Sequence, residues 1–83
     1  MLTDYIQAGM SKAIYEVLDE DGSIYGSIPD CPGVWASEED ELDCSKALRS
    51  ALEGWVLLGI YMHHELPIID SIDINLAMSL EAA

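Results

Sequence analysis

The stretch GSIYGSIPDCPGVWAS, residues 22–37, packs two prolines, three glycines and a tryptophan into sixteen positions. Pro29 and Pro32 cannot donate backbone hydrogen bonds, and each restrains φ. They end an extended run over Ser23–Ile28 and force a turn in which Gly33 relieves the crowding. Val34–Ala36 then reads as a short return strand. Strand, rigid corner and return strand together account for every Pro and Gly in the stretch. Trp35 is expected either to pack against the helix that follows or to anchor an interface. Cys31, between Asp30 and Pro32, is expected to stand exposed in the turn.

Upstream, Lys12–Leu18 is a second run of β-formers, joined to the first by DEDG, residues 19–22. That link holds a glycine where a hairpin turn needs positive φ. Alternation puts Ala13, Tyr15 and Val17 on one face of this strand and Ile14, Glu16 and Leu18 on the other. Further upstream, Leu2, Tyr5, Ile6 and Met10 recur at near-helical spacing behind a capping Thr3 or Asp4, so residues 1–11 predict a short helix.

Downstream, Ser37–His64 reads as the main helix, capped by Ser37 or Asp40. Five acids from Glu38 to Asp43 sit at the positive end of its dipole. Cys44, Leu48, Ala51, Leu52, Trp55, Leu58, Gly59 and Met62 follow the spacing of a stripe lying on a sheet. Val56, Leu57 and Ile60 widen the apolar surface near the end, an excess that suggests burial against another subunit. Gly54 and Gly59 weaken the helix, and close approach of another backbone would account for them. Pro67 stops any helix, and a last strand is expected around Ile72–Ile74. The sum is an α+β fold: a three-stranded antiparallel meander, a long helix packed on it, a returning fourth strand and an extra N-terminal helix. The divisions predicted are a helix over 1–11, an α+β domain over 12–76 and a tail over 77–83.

The chain has 83 residues, and its 16 carboxylates face three cations, Lys12, Lys46 and Arg49, for a net charge of −13. Such a body repels phosphate and anionic membranes and attracts basic partners. WVLLGIYM is too short to span a bilayer. With no signal peptide, a cytoplasmic setting and reduced Cys31 and Cys44 are expected.

No catalytic set is recognisable. Asp19, Glu20 and Asp21 lack the oxygen spacing of a calcium loop. His63 and His64 point about 100° apart on a helix, poorly placed to share one metal ion. Cys44 reads as core, and no phosphate-cradling glycine loop is present. A non-enzymatic protein with no metal or cofactor is the reading, with a metal-dependent hydrolase using the turn acids as the lesser alternative.

YEVLDEDGSIYGSIPDCPGVWA, residues 15–36, followed by an acidic helix start and ALRSALEGWVLLGI, residues 47–60, resembles the HicB family of small bacterial and archaeal antitoxins. The similarity rests on the acid-rich hairpin, the Pro29-Asp30-Cys31-Pro32-Gly33 corner and the helix with regular Leu and Trp, and it runs from about Lys12 to Ile74. It implies a partial ribonuclease-H-like β-β-β-α-β fold without that enzyme's catalytic residues. It also implies a homo-oligomer, dimer or tetramer, and a partner of HicA type, a small basic toxin that cleaves mRNA and is neutralised by occlusion. Many members add a DNA-binding domain; the seven residues after Leu76 hold none, so no direct nucleic-acid binding is expected of this chain. An orphan oligomeric interaction domain without a toxin is the alternative. Charge density nominates Glu16, Asp19, Glu20 and Asp21 around the hairpin, and Glu38, Glu39, Asp40 and Glu41 at the helix start, as partner contacts.

Overall fold

A computed structural model describes residues 2–75. The elements are α1 (Leu2–Ser11), β1 (Ile14–Val17), β2 (Ile24–Ser27), β3 (Trp35–Glu38) and α2 (Glu41–Tyr61). The strands form an antiparallel meander in the order β1-β2-β3. The registers Tyr15↔Gly26↔Ala36 and Ile14↔Ser27↔Trp35 fix which residues share a face. The first row faces α2, whose Cys44 thiol donates to the Ala36 carbonyl at 3.5 Å.

The corner is two turns sharing Cys31. The Cys31 N–H donates to the Ile28 carbonyl and the Val34 N–H to the Cys31 carbonyl, both at 3.0 Å. Pro32 and Gly33, the latter at φ +96, supply the central pair of a type II turn. Cys31 is fully buried, which corrects its expected exposure. With Pro29 and Pro32 on the outside, the residue between them turns inward to join Ile28 and Val34 in the core.

The Asp40 carboxylate caps α2, accepting from the Asp43 N–H at 2.8 Å. Ser37 and Glu38 belong to β3 instead of the helix start. At the other end, the His64 N–H donates to the Gly59 carbonyl at 2.8 Å and the His63 N–H to the Ile60 carbonyl at 3.2 Å. This is a Schellman close, with His63 at φ 57 where glycine is usual.

The buried side of α2 is Cys44, Leu48, Leu52, Val56 and Gly59. Leu58 and Met62, expected on the sheet-facing stripe, are exposed, and Val56 is core. The cause is length. Twenty-one helical residues run about 31 Å, whereas a four-residue strand covers about 13 Å. Past the sheet, α2 is covered by α1 and by Leu66–Ile69, which approach from the Val56 and Gly59 side.

α1 packs on its own chain. Tyr5 is fully buried, and its hydroxyl donates to the Pro67 carbonyl at 2.7 Å; Lys12 pairs with Asp70 at 3.0 Å. The fourth strand is not formed among the described residues. Asp70 and Ser71 adopt φ 48 and φ 65, folding Ile69 back onto Ile72 in an isolated bridge. Asn75 then occupies the Leu66 backbone, its Oδ1 accepting from the Leu66 N–H at 2.9 Å and its Nδ2 donating to the Leu66 carbonyl at 2.6 Å. A side-chain amide thus takes the pairing position of a neighbouring strand. The expected tail, residues 77–83, lies outside the described residues.

Candidate protein-interaction surface

The meander brings the two acidic segments together. The register Val17↔Ile24↔Glu38 sets the β1–β2 turn beside the end of β3 and the start of α2. A groove there is lined by Asp21, Gly22, Ser23 and Glu39. Glu16, Asp19, Glu20, Asp21, Glu38, Glu39, Asp40 and Glu41 are all exposed. Two of them have work within the chain. Asp40 is the helix cap, and Asp21 accepts from the Ser23 hydroxyl at 2.7 Å and from its N–H at 3.0 Å. Those bonds, the hydroxyl first, hold the Asp21 carboxyl below its usual range. Among the described residues no three His, Cys, Asp or Glu side chains converge in a way that would hold a metal ion.

Beside this acidic end lies an uncovered sheet face that the sequence reading missed. Trp35 points away from α2, the reverse of the first expectation for it. It is 57% exposed and stacks on Tyr25 with ring centroids 6.1 Å apart. Ile14, in register with Trp35 through Ser27, is equally exposed. Glu16, in register with Tyr25, puts a carboxylate on the same face. The signal was present in the alternation: with Val34 and Ala36 inward, Trp35 must face outward.

A second exposed apolar region lies on the last turns of α2, where Leu57, Leu58, Tyr61 and Met62 are uncovered. The Leu57 side borders a groove of about 160 Å³ between α1 and α2, lined also by Leu2, Ile6 and Val56, with Arg49 and Glu53 at its rim.

Both cysteines are free and buried. Burial, with Asp30 adding to it, pushes the Cys31 thiol up to about 11, and burial likewise raises Cys44. Neither is a ready thiolate near neutral pH. No helix among the described residues is long and apolar enough to cross a membrane.

A meander with a long helix across one face and a second helix closing the far end is a small two-layer α+β domain. The chain belongs to the UPF0150-like family, whose model matches residues 4–67. It is similar to the crystal structure of TTHA0281 from Thermus thermophilus, with 37% sequence identity and a TM-score of 0.79, covering 87% of this chain and 89% of that one. No curated protein matches the sequence.

Proposed function

We propose that this chain is a non-enzymatic, HicB-like antitoxin that binds a small basic HicA-type toxin in the cytoplasm and covers its RNA-gripping surface. The UPF0150-like family is related to HicB-like antitoxins, which supports the type. The observation that carries the reading is the meeting of the hairpin acids and the α2 start at one end of the sheet. An enzyme that grips RNA needs a cationic face, and this end offers a competing anionic one. The Tyr25–Trp35 pair next to it supplies aromatic area for apolar or guanidinium contacts. In this reading the chain itself touches neither nucleic acid nor membrane, and the groups involved are those of side-chain recognition, with no cofactor.

Co-expression tests it. The wild-type chain should restore growth to cells making the toxin encoded beside it. A variant with Asp19, Glu20, Glu38 and Glu39 all changed to Lys should not, although it folds. Rescue by that variant would move the contact elsewhere, and failure of the wild type would overturn occlusion itself.

A further inference from the structure

We propose that the cleft between the proline corner and residues 65–68 takes an arginine side chain of a basic protein partner, its guanidinium laid on Trp55 between the Asp30 and Glu65 carboxylates. The proposal rests on the reading that the chain captures a basic protein, and it adds a contact apart from the acids assigned to that capture. β2 runs from the acidic hairpin to the corner, so the cleft sits at the opposite end of the sheet. It encloses about 430 Å³ and is lined by Pro32, Trp55, Pro67 and Ile68, with Asp30 on the corner wall and Glu65 on the other. Both walls are fixed. Beside Asp30, Cys31 is fully buried and its N–H is bonded to the Ile28 carbonyl at 3.0 Å. Opposite, the Asn75 amide holds both backbone groups of Leu66, and the Pro67 carbonyl accepts from the Tyr5 hydroxyl at 2.7 Å. A site whose walls are set before binding loses little freedom when it fills.

Charge selects the occupant. Asp30 and Glu65 are exposed, and among the described residues no cation pairs with either. The chain's own cations are placed elsewhere. Lys12 pairs with Asp70, Arg49 lines the groove beside α1, and Lys46 lies about 13 Å before Trp55 along α2. Residues 1 and 76–83, outside the described part, include no Lys or Arg, so the side chain that answers these two carboxylates comes from another molecule. Among the described residues no third ligand joins them to hold a metal ion. An arginine suits the lining better than a lysine does. Its planar group offers a face to the Trp55 ring and edge N–H donors to a carboxylate on either side. Its methylene stem covers the proline and isoleucine surface.

The test is a magnetic-resonance titration of the isotope-labelled full chain with the end-blocked peptide Gly-Arg-Gly, read at the Trp55 indole N–H; a Trp35→Phe variant assigns that signal. The peptide should shift it with a Kd of about 5 mM. Asp30→Asn and Glu65→Gln alter exposed side chains, so the fold stays intact; each should weaken binding about threefold, and the pair should take it beyond detection. The citrulline peptide, of the same shape without the charge, should leave the signal unmoved, and the lysine peptide should bind at least about threefold more weakly. A Trp55 signal that the arginine peptide does not move overturns the proposal. So does binding unchanged in the double variant, or equal binding of the lysine peptide. Nuclear Overhauser contacts from the Trp55 ring to residues 76–83 in the free chain would give the cleft to the chain itself and also overturn it. None of these readouts uses the toxin, so their failure leaves capture at the acidic end standing, and failed growth rescue leaves the peptide result standing.

Discussion

The acidic end of the sheet and the second half of α2 both expose more than a folded chain needs, and they do so with opposite chemistry. The first gathers carboxylates from two segments well separated in sequence, around Asp21 and around Glu39, that the meander register makes neighbours. The second holds no acid after Glu53 and exposes leucine and tyrosine. The difference teaches that charge is unevenly distributed: eight of the 16 carboxylates belong to the two segments of the acidic end, and none lies between Glu53 and Glu65. The acidic end is chemically suited to a cationic surface and the end of α2 to an apolar one.

The largest effect that bears on this contrast is in the core that separates the two regions. Leu52 is fully buried and Leu58, six residues on, is 59% exposed. Leu52→Ala should cost about 3 kcal/mol in denaturant unfolding, and Leu58→Ala less than about 0.5 kcal/mol. Equal costs would show that the outward side of α2 is core after all. Next is salt. If the proposed basic toxin docks at the acidic end, raising ionic strength from about 0.05 M to about 0.5 M should weaken its capture by about tenfold or more, measured by calorimetry. A capture insensitive to salt would place it on an apolar face.

A smaller effect concerns pH. Burial, reinforced by Cys31, Asp30 and Asp73, pushes the Tyr5 hydroxyl up to about 12. Unfolded Tyr5 ionises near pH 10, so its contribution is intact below that and is lost as pH climbs from about 10 towards 12. Cys31 acts in the same sense from about pH 9. Tyr5→Phe should cost about 1 kcal/mol at neutral pH by leaving the Pro67 carbonyl unpaired, and should flatten part of the alkaline loss in pH-dependent melts. Smallest is His63→Gly. Removing a side chain from the left-handed position should stabilise by about 0.5–1 kcal/mol, and a destabilised variant would mean that the imidazole interacts with the helix end more strongly than the backbone strain costs.

Local chemistry made most of the fold legible. Gly22 and Gly33 at positive φ, the two prolines and the Asp40 cap are signals within a few residues of what they specify. The hairpin, the corner and the long helix follow from them. What escaped depends on partners distant in sequence. Cys31 is buried because the prolines on either side face out, which composition alone does not say. The face of α2 beyond Leu52 is set by where the sheet stops and α1 begins. The fourth strand lost to the Asp70–Ser71 turn and to Asn75, whose amide satisfies Leu66 in place of a strand. Of the candidate site, all eight acids lie exposed around the same end of the sheet. The Tyr25–Trp35 pair was obscured because a tryptophan before a helix was assigned to that helix.

The bond from the Tyr5 hydroxyl to the Pro67 carbonyl spans 62 residues, while the meander and α2 close between near neighbours. Ordering the chain between such distant points is entropically costly. α1 and the Leu66–Ile74 segment should therefore lock in late as one cooperative unit. In native-state hydrogen exchange they should open together, at lower free energy than the sheet they cap.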